Sequence, residues 1–157
     1  MRTHGTDPHE FLDFVHDIDL ARISADPRVV DALEKLPGRK YVFTNGDERY
    51  AGRVLEKLGL ANAFDGLHDI HAMSYVPKPH PDAYRAMCAR FNIAPQRALF
   101  VEDMARNLEP AKALGMTTVW VDNGSEQAGR DAEAAFIDYR ITDVGEWLTG
   151  IVQEEHS

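Results

Sequence analysis

Apolar side chains recur along this chain in two alternating patterns. The spacing i, i+3, i+4 and i+7, which is typical of amphipathic helices, begins at four positions: Phe11, Val29, Ala51 and Tyr84. Short continuous apolar runs lie between or after these segments, at residues 41–43, 98–101 and 117–121. Continuous apolar strands that alternate with helices are typical of parallel sheets buried on both faces. The pattern therefore predicts an α/β fold, a Rossmann-like three-layer parallel sheet.

Proline, glycine and acidic residues set the expected boundaries. Asp7 and Asp26 each precede a proline and predict helix starts, and Gly59 and Gly115 predict helix ends. A further strand and a last helix are expected in the C-terminal part, at residues 139–141 and 144–151. Residues 67–76 are compatible with one or two short strands, and residues 122–133 are predicted to form a loop.

Polar clusters follow three of the predicted strands directly, at residues 44–47, 102–103 and 122–124. Right-handed crossovers place the carboxyl ends of parallel strands at the same edge of a sheet, where ligands bind. We therefore expect these clusters to converge, and Lys78 to reach them from a turn between the third and fourth predicted helices.

The residue types in these clusters suit a phosphoryl group. The Thr44 hydroxyl and the backbone N–H groups of Asn45 and Gly46 can donate hydrogen bonds to phosphoryl oxygens, and Lys78 is a compact cation. Taken alone, Thr44 is also typical of a turn or helix cap, and a lone lysine is typical of a solvated surface. Their joint position favours phosphate binding.

An acidic pair supplies hard oxygen ligands. Asp103, together with Glu102, suits Mg²⁺, which binds one or two carboxylates and keeps water and phosphate oxygens as its other ligands. The pair taken alone could instead cap the following helix.

Composition narrows the partners. The 157 residues carry a net charge of −9, which argues against a partner that is a nucleic acid polymer, because phosphate backbones attract basic surfaces. No apolar run is long enough for a bilayer, so no membrane partner is expected. Cys88 is the only cysteine, and a reducing cytoplasm is the simplest location.

Three ordered motifs, residues 43–46, residues 78–81 and residues 100–103 followed by Asn107, resemble the haloacid dehalogenase superfamily. The resemblance extends over about residues 5–148. A narrower similarity to the pyrimidine 5′-nucleotidase-like branch is found in three shorter stretches: residues 15–19, 76–79 and 102–108.

The resemblance implies a Mg²⁺-dependent phosphomonoester hydrolase that acts on a nucleotide-like substrate, such as a pyrimidine nucleoside 5′-monophosphate, through an aspartyl phosphate. In that family Thr44 would be the phosphate donor of the second motif, Lys78 the lysine of the third, and Asp103 the Mg²⁺ ligand of the fourth. Glu102 would stand beside the metal, and Asn107 would support the site from behind the ligands.

The first motif of the family, Asp-x-Asp-x-Thr at the end of an apolar strand, has no clear counterpart. The one Asp-x-Asp sequence is Asp17-Ile18-Asp19, with Ala21 at the threonine position and a helical pattern before it. We therefore expect Asp17 to be a helix-end acid rather than the nucleophile. Residues 1–26 are interpreted as a remnant of a helical cap and residues 27–157 as the core without its central first strand. Exposed sheet edges would then favour self-association.

Three alternatives stay open. A catalytically inactive fragment could keep phosphate and metal affinity, and a haloacid dehalogenase is a weaker enzymatic alternative. A phosphoacceptor signalling module also uses acids, threonine and lysine at strand ends. Its acidic pair comes first along the chain, however, whereas here Thr44 precedes Lys78 and Asp103.

Overall fold

A computed structural model of the chain describes residues 24–124 and 134–155. The predicted helix that begins near Asp7, and the pair Asp17 and Asp19, lie outside the described residues. The chain divides into two compact units, residues 1–75 and residues 76–157.

The described part of the first unit contains two helices and two strands in alternation: α1 (Pro27–Lys35), β1 (Tyr41–Phe43), α2 (Glu48–Lys57) and β2 (Gly66–His68). The strands β1 and β2 pair in parallel, and Val42 lies opposite Leu67. The predicted cap of α1 is confirmed, because the Asp26 side chain accepts a hydrogen bond from the Arg28 N–H.

Within its described residues, the second unit contains three helices, two 3₁₀ turns and three strands: α3 (Pro81–Phe91), 3₁₀ (Pro95–Arg97), β3 (Leu99–Glu102), 3₁₀ (Ala105–Asn107), α4 (Leu108–Leu114), β4 (Thr117–Val121), β5 (Tyr139–Ile141) and α5 (Val144–Glu155). The strand order is β3-β4-β5, and both pairings are parallel. Gly115 ends α4 with a φ of 105°, a left-handed conformation that glycine adopts without steric cost.

Trp120 on β4 is the centre of the core in the second unit. It is 1% exposed and packs with Leu108 and Ala105, and Phe100 on β3 adds to the same cluster. Asp138 contacts β4 beside this core. Its carboxylate accepts the backbone N–H of Thr118 at 2.8 Å. This contact fixes the chain that enters β5.

The predicted α/β class and the parallel pairing are confirmed. Residues 67–76 contain one strand rather than two, and turns follow it through Tyr75. Ser74 and Tyr75 have positive φ values, of 54° and 62°, which regular strands do not accommodate. Of the predicted loop at 122–133, residues 122–124 have no regular structure and the rest lies outside the described ranges.

The prediction of a buried strand at residues 98–101 was wrong for half of its side chains. Leu99 is 50% exposed and Val101 is 39% exposed. Leu99 and Val101 alternate with Phe100, so they lie on the opposite face of β3, which is an edge strand of the described sheet. Phe100 points to the covered face, where its ring meets Tyr84 of α3 in an edge-to-face contact.

Within the described ranges, no helix combines the length and the apolar composition that a membrane span requires.

The edge strand β3 generates a prediction about self-association. We propose that a second copy of the chain pairs with this edge, because Leu99 and Val101 present apolar side chains on an edge strand. Val101→Lys should shift the protein toward monomer, since a charged lysine on an edge strand disfavours pairing. Sedimentation velocity over a concentration series measures the shift.

The matched control is Gln153→Lys, which adds the same charge at an exposed position of α5. The control should associate like the unmodified chain. A chain that stays monomeric across the concentration series without any substitution contradicts the proposal.

Candidate functional site

The loop after β1, residues 44–47, lies in the first unit and is held by the chain that follows β2. The backbone N–H of Thr44 donates to the His68 carbonyl at 3.1 Å. The N–H of Ile70 donates to the Gly46 carbonyl, also at 3.1 Å. The loop is therefore attached at two points to residues 68–70.

Inside the loop, the Thr44 hydroxyl is oriented by the backbone. Its Oγ1 accepts a hydrogen bond from the Gly46 N–H at 3.0 Å. A hydroxyl that accepts through a lone pair still has its proton to donate to a ligand oxygen. The Gly46 N–H, one of the expected phosphate donors, is thus engaged inside the loop in this structure. Its phosphate role stays a prediction, as does that of Asn45.

In the second unit, Lys78 forms a buried ion pair with Glu102. Lys78 Nζ lies 2.8 Å from Glu102 Oε2, and the two side chains are only 6% and 9% exposed. The ring of Phe100 lies below the ammonium group, with its centroid 5.6 Å from Nζ. The turn that carries Lys78 therefore brings it to the carboxyl end of β3, as the sequence predicted.

The environment of Glu102 is unfavourable for its charge. Burial raises the pKa of this carboxyl above its ordinary value, and the nearby Lys78 ammonium opposes that shift without cancelling it. The second oxygen, Oε1, accepts the Met104 N–H at 3.3 Å. Both carboxylate oxygens thus accept hydrogen bonds from the protein. In these contacts Glu102 acts as the ion-pair partner of Lys78. Its role as a metal ligand stays a prediction.

Asp103 differs from its neighbour, because it is exposed. Its backbone carbonyl accepts the indole N–H of Trp120 at 2.9 Å, which attaches the end of β3 to the core. Its side-chain Oδ2 lies 3.5 Å from Asn123 Nδ2. The clusters that follow β3 and β4 therefore come together as expected for neighbouring parallel strands.

Asn107 is buried behind this edge, at 6% exposure. Its backbone carbonyl accepts the hydroxyl of Tyr84, a side chain whose pKa is raised by burial. Among the described residues nothing donates to the side-chain Oδ1 of Asn107. A buried acceptor without a donor costs about 1–3 kcal/mol, so this oxygen is suited to a hydrogen bond from a ligand or a bound water.

The described residues offer few ligands for Mg²⁺. No group of three or more His, Cys, Asp and Glu side chains within 24–124 and 134–155 could hold a metal ion. Mg²⁺ does not need such a cage, because it commonly binds one or two carboxylates and completes its coordination with water and substrate oxygens. The exposed Asp103 carboxylate offers that kind of ligand.

Two buried residues, one in each unit, were not predicted from the sequence to contribute to a site. Asp69 lies directly after β2 and is 7% exposed, and Tyr84 on α3 is 1% exposed. The signal for Asp69 was its place at a strand end, which the uncertain strand assignment of residues 67–76 hid. Tyr84 looked like an ordinary member of an apolar helix face.

Comparison with known proteins identifies the family. The sequence model described as haloacid dehalogenase-like hydrolase matches residues 5–115, well over half of the chain. The chain belongs to this family of hydrolases, which confirms the superfamily resemblance of the three motifs. The narrower pyrimidine 5′-nucleotidase branch stays a prediction.

Individual relatives support the same family. The chain is 33% identical over 104 residues to a phosphoglycolate phosphatase from Escherichia coli, which covers 62% of this chain. That match covers 40% of the E. coli protein, so the chain spans well under two thirds of the length of this curated relative.

Solved structures show the same fold. An L-2-haloacid dehalogenase from Xanthobacter autotrophicus has a TM-score of 0.67 at 19% identity, covering 97% of this chain and 68% of that one. A phosphatase of the family from Thermococcus onnurineus has a TM-score of 0.63 at 24% identity, covering 80% and 57%. At these identities the likeness concerns the fold.

The buried ion pair generates a prediction about stability. Lys78→Met and Glu102→Gln should each destabilise the protein by about 3–5 kcal/mol, because each leaves one buried group without its partner. The double variant should cost less than the sum of the two. Urea unfolding followed by tryptophan fluorescence measures all three, and Lys112→Met, in the more exposed pair with Asp138, is the control.

The destabilisation caused by Lys78→Met should depend on pH. In Lys78→Met the Glu102 pKa rises further in the folded state, so this carboxyl favours folding at low pH, and that contribution is lost as the pH rises through the folded pKa. The cost of Lys78→Met should therefore shrink as the pH is lowered. If the double variant instead loses a stability equal to the sum of the two single losses, the Lys78 and Glu102 side chains do not stabilise each other.

Proposed function

We propose that this chain provides the phosphate- and metal-binding residues of a Mg²⁺-dependent phosphomonoester hydrolase. The observation that carries the proposal is the buried Lys78–Glu102 pair beside the exposed Asp103 carboxylate, at the carboxyl end of β3. A buried lysine held by a carboxylate beside an open acidic group suits a ligand that is an anion with a metal counterion. Membership of a hydrolase family supports the same conclusion.

Each residue has a distinct proposed role. Lys78 would attract and hold a phosphoryl oxygen, while Glu102 fixes the ammonium group in place. In the first unit, the family motif makes Thr44 the proposed donor of a hydroxyl proton to a phosphoryl oxygen. Asp103 would hold Mg²⁺, which when bound neutralises charge on phosphoryl oxygens, with Glu102 as a second candidate ligand.

Asn107 would complete the site from behind. Its buried Oδ1, to which no described residue donates, can accept a hydrogen bond from a bound water or a ligand. This role matches the supporting position expected from the family motif. No described residue is assigned as the attacking aspartate, because the first motif of the family has no clear counterpart in this sequence. Asp17, which is expected to be a helix-end acid, lies outside the described ranges.

The substrate class is a small phosphate ester. The similarity to the pyrimidine 5′-nucleotidase-like branch makes nucleoside 5′-monophosphates the first candidates. The name of the 33% identical relatives makes phosphoglycolate the second. The dehalogenase alternative has less support, because the dehalogenase neighbours at 19% identity share the fold alone.

Ligand binding and turnover separate an enzyme from a binding module. We expect inorganic phosphate to bind more tightly with Mg²⁺ than without it, as measured by isothermal titration calorimetry. Thr44→Val should weaken phosphate binding about tenfold, because one hydrogen bond to a charged group is lost. Asp103→Asn should remove the effect of Mg²⁺. Thr142→Val, at an exposed threonine after β5, is the control and should change neither.

Phosphate release from nucleoside 5′-monophosphates and phosphoglycolate then tests catalysis. Release that depends on Mg²⁺ supports the hydrolase, whereas binding without release supports a noncatalytic phosphate-binding module. Halide release from a 2-haloacid, without release of phosphate from any ester, would contradict the proposal.

A further inference from the structure

Asp69 is a buried carboxylate that joins two backbone segments near the phosphate-binding loop. It follows β2 directly and is 7% exposed. Its Oδ2 accepts the N–H of Glu48, the first residue of α2, at 2.9 Å, and its Oδ1 accepts the N–H of Ala72 at 2.9 Å. Each oxygen of one carboxylate thus holds a different segment of the chain.

We propose that Asp69 is a positioning residue that sets the conformation of the loop 44–47 and, through it, the orientation of the Thr44 hydroxyl. The consequence for phosphate binding rests on the function proposed above. The consequence for the loop conformation does not.

Asp69 lies in sequence between the two residues that hold the loop 44–47. The Thr44 N–H donates to the carbonyl of residue 68, and the N–H of residue 70 donates to Gly46, each at 3.1 Å. Asp69 then holds residue 48. The last residue of β2 and the two residues that follow it therefore bind three points along the loop and the start of α2.

The start of α2 depends on two carboxylates. The first N–H groups of a helix have no partner inside the helix. Asp47 accepts the Tyr50 N–H at 2.7 Å, and Asp69 accepts the Glu48 N–H. Asp47 comes from the loop itself, so it moves with the loop. Asp69 directly follows β2, so it ties the helix start to the end of that strand.

Thr44 receives this constraint indirectly. Its Oγ1 accepts the Gly46 N–H, and the Gly46 carbonyl is held by residue 70 next to Asp69. A shift of the segment after β2 would therefore move Gly46 and turn the hydroxyl of Thr44. The Asp69 carboxylate never has to touch the ligand to affect it.

Charge and geometry make opposite predictions for Asp69→Asn. Removing a negative charge near a phosphate site should tighten the binding of an anion. Losing one acceptor, because the amide NH₂ group then faces a backbone N–H, should loosen the loop and weaken binding. The sign of the change therefore separates a positioning role from a purely electrostatic one.

The matched control is Asp65→Asn. The Asp65 Oδ2 accepts the Lys40 N–H at 2.7 Å and joins the same two strands at their other ends. It makes the same kind of long-range contact from carboxylate to backbone, away from the loop 44–47. A loss of stability alone should therefore be shared by both variants.

The experiment measures backbone amide NMR shifts, thermal stability and affinity for inorganic phosphate in the full chain. Asp69→Asn should shift the amides of residues 45 and 46 and weaken phosphate binding about tenfold. Asp65→Asn should lower the Tm while leaving those amides and the phosphate affinity unchanged. Unchanged loop amides in Asp69→Asn, or tighter phosphate binding, would overturn the proposal.

Two further outcomes are decisive. If the unmodified chain binds no phosphate, the proposed function fails, and the amide shifts alone decide the role of Asp69. If Asp69→Asn does not fold, hydrogen exchange of the unmodified chain decides it. The amides of Gly46, Glu48 and Ala72 should then open together, with one common opening free energy. Independent opening of Gly46 would refute the positioning role.

Discussion

The candidate site in the second unit depends on an ion pair between a buried lysine, Lys78, and a buried carboxylate. An ammonium group away from water is costly unless an opposite charge and hydrogen bonds compensate for it. Glu102 supplies that charge at 2.8 Å, and the Phe100 ring shields the pair. The strand β3 therefore ends at Glu102, whose carboxylate is engaged by the protein. The next residue, Asp103, is exposed.

In the first unit, the corresponding constraint is the hydrogen bonding of backbone groups in a tight loop. Residues 44–47 leave β1 and enter α2, and the Gly46 N–H and carbonyl lie outside the regular hydrogen bonds of both elements. Residues 68–70 supply the partners, and Asp69 satisfies the helix start that the loop alone does not. Rigidity of this kind is what a hydroxyl needs in order to meet a phosphoryl oxygen at a defined place.

Much of the fold follows from local rules. Helix caps such as Asp26, the stop at Gly115 and the parallel strands were predictable, since capping, glycine conformation and apolar periodicity act over a few residues. The exposure of Leu99 and Val101 was not predictable from the same rules. An apolar run looks alike in a central strand and in an edge strand, and only the neighbours of the strand decide which it is.

The candidate site divides in the same way. Residue chemistry was enough to make Thr44, Lys78 and Asp103 candidate ligands of a phosphoryl group and a metal, and their roles stay predictions. The hydrolase family was indicated by the resemblance of the ordered motifs, and the family model confirms it. The partner of Lys78, the orientation of the Thr44 hydroxyl and the part played by Asp69 were decided by tertiary structure alone. These contacts join residues that lie far apart in sequence, such as Lys78 with Glu102 and Asp69 with Glu48, and no local pattern encodes a contact of that range.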